Sequence, residues 1–512
     1  MVSPMSDKPL KLDSQSLSLT EVVQVARNAK KVTLGDTAIA AISKAQQIVS
    51  QFARKQHPVY GLNTGFGSLS HVRIEPDEII AVQRNLIRSH AAGVGEPLAD
   101  DVVRAMLLIL AASLARGRSG VRTQLVEAII NLLNHNIIPV VPSRGSVGAS
   151  GDLAPLAHAA LVLIGEGEAK VNGKVCSGAD ALKAAGLEKI TLQAKEGLAL
   201  INGTHLMCAI GVLGLCDVEA LSTAAIAAAA MAIDACRGTD VSLDERLHAV
   251  RGQIGQMRVA AWLKKQLAGS QIIEDHKVDD PRVQDPYCLR AAPQVLGAAF
   301  DTIDYVRDIF KRELGAVTDN PLVFADADGD SKIVSGGNFH GMPLAIALDS
   351  LTIALCHIAG IAERRINWLL TASDSENPVN IYLSPQPGLH SGLMITQYTA
   401  AACCNEIQTL ATPASVANIP TSAGIEDYNS YGVTSAHQAR TAIDLATNVI
   451  AIELLVMAEA MEYQRPLLSG AGVERTHELV RSVVPRLTED RPPAPDIAAI
   501  AKLIQKGLFI TI

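Results

Sequence analysis

Ala224-Ala225-Ile226-Ala227-Ala228-Ala229-Ala230-Met231-Ala232-Ile233 is the stretch that decides the fold. Alanine is the strongest helix former, and ten small or apolar residues in a row leave no polar face for solvent. Working outward, the pattern holds over 206–236, so this helix belongs inside a bundle. Thirty residues at ~1.5 Å each make a rod of ~45 Å. Two further long apolar segments follow, 287–316 with 341–370, and 433–463. Shorter helical patterns precede them at 21–53, 77–92, 99–116, 121–134 and 152–165. Hydrophobic residues are 48% of the 512 but aromatics only 3%. Ala, Leu, Ile and Val therefore build the interior, which favours close-packed helices over a β-sandwich. The fold expected is mainly α, a long-helix bundle with small β-hairpins. One hairpin is predicted over Lys170–Val175, where Asn172-Gly173 separates β-branched residues. A second is predicted over Leu322–Val334, around Asp328-Gly329. Asp326, Asp328 and Asp330 have a calcium-loop look, but the glycine is out of place and Gly337 stands where a closing glutamate is required.

The domain reading is linear: a flexible lead over 1–20, an N-terminal domain over 21–205, a central long-helix bundle over 206–470 and a C-terminal helical segment over 471–512. The net charge is −8 and no Lys/Arg-rich run occurs, which argues against nucleic acid and anionic membrane as partners. The eight cysteines, at 176, 208, 216, 236, 288, 356, 403 and 404, form no Cys-x-x-Cys pair and read as buried thiols in a reducing compartment. Met1–Gln15 is too polar for a secretory signal. The apolar run 224–233 falls far short of the ~20 residues of a membrane span. The expectation is a soluble, cytoplasmic protein.

Chemistry concentrates at Gly145-Ser-Val-Gly-Ala-Ser-Gly-Asp-Leu-Ala-Pro-Leu-Ala-His158. In Ala149-Ser150-Gly151, three small residues let the Gly151 amide nitrogen reach the Ala149 carbonyl carbon. Glycine suits the attacking position, having no Cβ and tolerating strained dihedrals. Loss of that carbonyl's water and of the Ser150 hydroxyl leaves an imidazolone bearing an exocyclic methylidene, an electrophile no ordinary side chain offers. Asp152–Pro155 reads as the first turn of a helix, with proline tolerated there, so the electrophile would sit at a helix N-terminus suited to developing negative charge. A phosphate loop does not fit, since neither Gly-x-Gly-x-x-Gly order nor a P-loop lysine is present. No pyridoxal lysine or metal cluster is evident. Val59-Tyr60-Gly61-Leu62-Asn63-Thr64-Gly65-Phe66-Gly67 is a glycine-rich loop of the kind that closes over substrates.

Together these stretches resemble the histidine and aromatic amino-acid ammonia-lyases, which carry 4-methylidene-imidazole-5-one (MIO). The resemblance covers roughly residues 20 to 470 and implies an aspartase/fumarase-like bundle. By it, Ala149, Ser150 and Gly151 form MIO, with no PLP and no metal. Tyr60 is the base for the β-proton, and an unperturbed phenol of pKa ~10 needs help to ionise. Asn202, in Lys195–Thr204, contacts the prosthetic ring and substrate. In Gln284–Arg290, Gln284 and Tyr287 line the site, Tyr287 as a catalytic residue, while Arg290 grips the substrate carboxylate with its planar fork. Asn338 and Phe339, in Gly336–His340, lie near the electrophile. Thr318-Asp319-Asn320-Pro321 is read as structural. His90 implies a polar substrate ring, and Glu426 resembles the glutamate of histidine lyases, as does the Leu153–His158 tail. Two stretches depart from the histidine pattern: Ser375–Leu383, and Asn429-Ser430-Tyr431-Gly432, which is closer to phenylalanine lyases.

The activity implied is elimination of ammonia from an aromatic L-amino acid to the trans-acrylate, with L-histidine to urocanate favoured. The alternatives are an L-tyrosine or L-phenylalanine lyase, or a MIO-dependent aminomutase. A fumarase-type lyase would lack the Ala-Ser-Gly triplet, and a helical scaffold would lack the MIO absorbance. The resemblance also implies a homotetramer whose active sites are shared between subunits, so that Tyr60 and Arg290 need not come from the subunit that supplies Ser150.

Overall fold

The computed structural model describes residues 8–53, 58–325 and 331–509. The chain divides into two compact units, each built from three separate stretches. The first takes 1–213, 308–348 and 414–437; the second takes 214–307, 349–413 and 438–512. This partition differs from the linear one drawn at 20, 205 and 470, because each unit recovers segments from distant parts of the sequence.

The first unit opens with helices α1 (Leu19–Asn28) and α2 (Asp36–Ala53). Ser18 and Glu21 start α1 as a reciprocal cap: the Glu21 amide donates to Ser18 Oγ at 3.2 Å, and the Ser18 amide to Glu21 Oε2 at 2.8 Å. The single helix expected over 21–53 is thus two. Ala29 turns left-handed at φ +53° and ends α1, and the chain then pairs β1 (Leu10–Leu12) with β2 (Val32–Leu34) in parallel. The expected shorter helices are α3 (Ile79–His90), α4 (Asp100–Ala115), α5 (Thr123–Asn134) and α6 (Leu153–Leu163). Two short helices follow, α7 (Gly178–Ala184) and α8 (Glu196–Ile201), before α9 (His205–Ala235) begins.

Both hairpins form. β3 (Val94–Pro97) pairs with β5 (Pro142–Arg144), while β4 (Ile138–Pro139), β6 (Glu168–Val171) and β7 (Lys174–Ser177) make a three-stranded sheet. Asn172 and Gly173, at φ +50° and +77°, turn β6 into β7 as a primed turn requires. β8 (Leu322–Ala325) pairs antiparallel with β9 (Ser331–Val334); the aspartates at 326, 328 and 330 lie outside the described residues.

Burial of α9 is nearly complete: Ala224, Ala225, Ile226, Ala228 and Ala230 are all fully buried. Within the first unit, Gly211 on this helix lies against the Phe310 ring, whose carbons a Cβ would approach to 2.2 Å. By length and composition His205–Ala235, Met342–Leu370 and Gly432–Gln464 could each cross a membrane. That corrects the expectation from the run 224–233 alone, because a span tolerates isolated polar residues that interrupt an unbroken run. In their most apolar windows, 67%, 67% and 78% of residues are buried inside the protein, so the apolarity serves the interior.

The second unit is helical among its described residues. Its interior holds Arg365 and Glu453, both fully buried and bonded to each other, with Arg365 Nη1 also donating to the Cys288 carbonyl at 3.4 Å. Burial pushes the Glu453 carboxyl up, and the guanidinium opposes that. The helix Met394–Leu410 buries only Thr396, Ala400 and Ile407 and leaves Ile395 and Tyr398 exposed. Of the cysteines, Cys208 and Cys236 are buried and the other six half-buried, so the expectation of buried thiols holds for two.

Candidate active site

A cavity of about 700 Å³ in the first unit is lined by Ala149 and Ser150 together with Tyr60, His90, Asn202, Phe339 and Glu426. Each wall has its own local cause.

The loop before α6 is folded tightly from both sides. Gly151 sits at φ +78°, and a Cβ there would lie 2.1 Å from the Gly203 carbonyl oxygen, so no side chain fits. The backbone groups on either side of Gly151 are bound: the Gly203 amide donates to Ser150 O at 3.3 Å and the Asp152 amide to Gly203 O at 2.8 Å. From across the cavity, Ser430 Oγ donates to Gly148 O at 3.1 Å and the Tyr431 amide to Val147 O at 2.9 Å. The stretch 429–432 thus clamps the loop. Asp152 is the N-cap residue of α6, one place before the first turn expected of it. Its buried carboxylate does not cap α6; it accepts from the Leu206 and Met207 amides at 2.7 and 3.1 Å and so caps α9. Burial pushes this carboxyl up to about 7 against those hydrogen bonds.

Tyr60 leaves a turn anchored by buried Leu62 and Asn63. Asn63 Oδ1 accepts from the Val59 amide at 2.7 Å, and Leu62 packs with Ile48, Val49 and Val323. The ring stands edge-on to Phe66 with centroids 6.4 Å apart, and the hydroxyl accepts a long bond of 3.5 Å from the Gly67 amide. Burial raises the phenol above its ordinary value, the Gly67 bond opposes this, and the charges of Glu426 and Asp319 raise it further. The surroundings therefore favour the protonated phenol, opposite to what a base needs. Tyr60 also shares one chain's cavity with Ser150, so a separate-subunit origin for Tyr60 is corrected.

His90 closes α3, its Nδ1 at 2.9 Å from the Leu86 carbonyl. That carbonyl can only accept, so Nδ1 carries the proton and Nε2 is left as an acceptor. Burial lowers the imidazole, which keeps it neutral. Glu426 follows a turn in which Ser422, Ala423 and Gly424 are all left-handed, at φ +52°, +54° and +85°. Its Oε1 accepts from Ser150 Oγ at 3.2 Å and its Oε2 from Thr421 Oγ1 at 3.2 Å.

Asn202 ends α8. Its Nδ2 donates to Asn320 O at 3.1 Å and Asp319 Oδ1 at 3.3 Å, while its buried Oδ1 has no hydrogen-bond partner among the described residues.

Four expected residues are not brought here. Gln284, Tyr287 and Arg290 belong to the second unit, on and just before the helix Tyr287–Arg290. Tyr287 is 72% exposed, and the Arg290 guanidinium lies over its ring at 4.5 Å while Nε donates to Asp285 O at 2.9 Å. Asn338 is exposed and is not among the lining residues; its Nδ2 donates to Val317 O at 3.4 Å. Ser375–Leu383 also belongs to the second unit and does not line this cavity.

Sequence reasoning missed Asn320 and His340, both lining. Asn320 lies in the Thr-Asp-Asn-Pro stretch, whose distinctive pattern points to a structural role and carries no signal of a cavity position. His340 ties Tyr428 to the start of the helix Met342–Leu370, its Nε2 donating to Tyr428 O at 2.9 Å and its Nδ1 accepting from the Met342 amide at 3.3 Å.

The aromatic amino acid lyase family model matches residues 17–482. The chain belongs to that family. It is 48% identical to the histidine ammonia-lyase of Koribacter versatilis over 509 residues, 98% of each chain. It is 47% identical to that of Symbiobacterium thermophilum over 494 residues, 96% of each. Among solved structures, histidine ammonia-lyase from Trypanosoma cruzi matches with a TM-score of 0.90 at 37% identity, covering 98% of this chain and 94% of that one. Tyrosine aminomutase from Streptomyces globisporus matches with a TM-score of 0.91 at 34% identity, covering 98% of both. This aromatic amino acid lyase is a carbon–nitrogen lyase on a helical-bundle fold.

Proposed function

We propose that this lyase eliminates ammonia from L-histidine to give trans-urocanate. The observation that carries the reading is Glu426, bonded to Ser150 and sharing a cavity with neutral His90. A carboxylate beside the reactive serine suits an imidazole N–H or imidazolium, and a phenyl ring cannot use it. His90 Nε2 adds a second acceptor for a polar ring. The names of relatives at 47–48% identity support the same substrate.

Ala149-Ser150-Gly151 fits the MIO group. Gly151 has no room for a side chain, and Asn202 presents an unpartnered buried oxygen on the same cavity. The group supplies an electrophile that makes the substrate amine a better leaving group. Tyr60 takes the β-proton at its phenolate oxygen, and the substrate ammonium offsets the carboxylate charges that disfavour its ionisation. Phe339 walls the ring side of the cavity, and Asn338 stays a candidate for substrate contact.

Gln284, Tyr287 and Arg290 come, in this reading, from another copy in a homotetramer. Arg290 then grips the substrate carboxylate, and the exposed Tyr287 faces a neighbour's cavity. The apolar face of Met394–Leu410 supports association, since burying such surface contributes ~25 cal/mol per Å². The protein is taken to be soluble and cytoplasmic, with no nucleic-acid or membrane partner and no PLP or metal.

A second reading, an aminomutase or a lyase for L-tyrosine or L-phenylalanine, is favoured by the aminomutase match and by the Asn429–Gly432 pattern. Incubation with L-histidine, L-tyrosine and L-phenylalanine, followed by product identification, separates the readings. Urocanate is expected. Coumarate or cinnamate without urocanate overturns the histidine assignment, and a β-amino acid overturns elimination in favour of amine migration.

A further inference from the structure

Beneath the cavity lies an ion pair that the proposed chemistry leaves unused. Lys195 is completely buried and Asp319 nearly so, with Nζ 2.6 Å from Oδ2. Lys195 takes a left-handed φ of +73° to reach this position, a strained conformation for a residue with a side chain. A buried pair of this kind brings little net stability, so its presence calls for another account.

The pair sits at a junction. Asp319 Oδ1 accepts from the Asn320 amide at 2.6 Å and from Asn202 Nδ2 at 3.3 Å. Asn320 Oδ1 in turn accepts from Ser335 Oγ at 3.2 Å and the Gly336 amide at 2.7 Å, fixing the approach to Phe339. The Lys195 stem also lies under the Tyr60 loop, its Cδ 3.6 Å from where a Cβ on Gly61 would be. The Lys195 side chain thus bears on three cavity walls, through its stem at the Tyr60 loop and through Asp319 at Asn202 and Asn320.

The amide of Asn202 has two ends, and its surroundings choose between them. Asn320 O and an ionised Asp319 can only accept, so Nδ2 must face them and Oδ1 must be the free end. That arrangement depends on where the Asp319 carboxylate sits, and Lys195 Nζ fixes its other oxygen, so without the ammonium the carboxylate is free to shift and Asn202 with it.

We infer that Lys195 is a positioning residue for the reaction: by anchoring the Asp319 carboxylate it presents the Asn202 oxygen to the cavity and offsets the Asp319 charge at Tyr60. The inference rests on the proposed lyase reading, in which Tyr60 is the base. Charged and titratable groups facing Tyr60 are Glu426 and Asp319, with Lys195 behind the latter and His90, His340, Asp427 and Tyr428 around the same cavity. Burial lowers the Lys195 ammonium, and the charge and hydrogen bond of Asp319 oppose that.

The test compares K195M, K195R, D319N and the charge-neutral double variant K195M/D319N in the intact protein. In K195M, kcat should fall by roughly a hundredfold through misplacement of Asn202. The rise of kcat/KM with pH, where Tyr60 ionises, should move up by about one pH unit. D319N should move that rise the opposite way, the double variant should bring it back near wild type, and K195R should rescue both kcat and the pH profile. A readout without turnover is the phenol titration of each variant against its Tyr60→Phe counterpart by ultraviolet difference, with intact mass reporting ring closure. Should K195M fail to fold, D319N and the double variant decide alone. An unchanged pH profile and titration in K195M, or shifts of the same sign in K195M and D319N, would overturn the inference. If wild type turns over none of the three amino acids, the lyase reading fails, while the Tyr60 titration still reports on Lys195.

Discussion

The loop at 145–152 and the segment at 284–290 are both short irregular stretches that hand on to a helix, yet the chain treats them in opposite ways. The first is held on three sides by its own chain: Gly203 pairs with the residues flanking Gly151, Ser430 and Tyr431 clamp Val147 and Gly148, and Asp152 is fully buried. The second carries Tyr287 at 72% exposure and follows directly on Val283 at 96%. Apolar and aromatic side chains left this open cost free energy in water unless something covers them. One stretch is therefore built to completion by its own chain, and the other, proposed above as a wall of a neighbour's site, faces outward.

The sharpest way to break that comparison is at the completed wall. Ser150→Ala should abolish turnover while the fold persists, because alanine has no hydroxyl to lose and, among the described residues, the side-chain bond removed is the one to Glu426. Intact mass should show the wild-type chain lighter by two waters and the variant at its full mass. A wild-type preparation that is active at full mass would refute self-cyclisation.

The outward-facing wall is tested by mixing chains. Ser150→Ala combined with Tyr287→Phe should recover activity, since one variant can donate Tyr287 to the other's cavity. Ser150→Ala combined with Tyr60→Phe should recover none, because both lesions lie on one chain's cavity. Recovery in the second mixture and not the first would reverse the assignment of walls, and an active monomer in light scattering would remove the need for a second copy.

Selectivity offers a finer probe. Losing a charge-assisted hydrogen bond costs ~1.5–3 kcal/mol, so Glu426→Gln should slow L-histidine turnover roughly ten- to a hundredfold. Turnover of L-phenylalanine should stay level or rise, and His90→Phe should push the ratio of catalytic efficiencies the same way. Equal losses for both substrates would assign Glu426 to the common chemistry instead of the ring.

The smallest effect expected concerns the floor of the completed wall. His205 is fully buried, neither ring nitrogen has a partner among the described residues, and burial lowers it to about 4. Its folded value lies below the unfolded one, so as pH falls the unfolded chain takes up the proton first, and stability is lost from about pH 6.5 down to about 4. Denaturant unfolding should show a loss of about 2 kcal/mol from this residue between pH 7 and pH 5. His205→Leu should flatten that part of the profile, and an unchanged slope would contradict it.

Much of this was legible in the residues. Long apolar helices declare themselves by composition, and Asn172-Gly173 declares a turn by the φ values it permits. The Ala-Ser-Gly triplet carried its chemistry on its face. What stayed hidden was three-dimensional. Ala29 ending one helix and Gly35 leading into another are weak signals inside a long helical pattern. Nothing local tells that Asp152 caps α9 and not the helix it precedes, since that depends on where Leu206 arrives. Lys195 and Asp319 lie 124 positions apart, and no spacing rule pairs them. Asn338 and Phe339 are neighbours, yet only Phe339 lines the cavity, because one exposed turn separates their directions.

The left-handed turn at 422–424 has a consequence for how this protein can diverge. Ser422 and Ala423 hold backbone angles that cost of order 1–3 kcal/mol each, and the frame around them compensates. Asn429 accepts and donates against Asn418 and Ile419, and the Glu426 amide returns to Thr421 O at 3.3 Å. These bonds run through backbone and through residues outside 425–428. The side chains at 425–428 are thus mounted on a socket built mainly from backbone bonds and from residues outside that stretch, to which the Glu426 carboxylate adds one bond from Thr421. Exchanging them alters what the cavity greets without asking the socket to refold, so a drift in diet can be accomplished by point changes on an inherited mount.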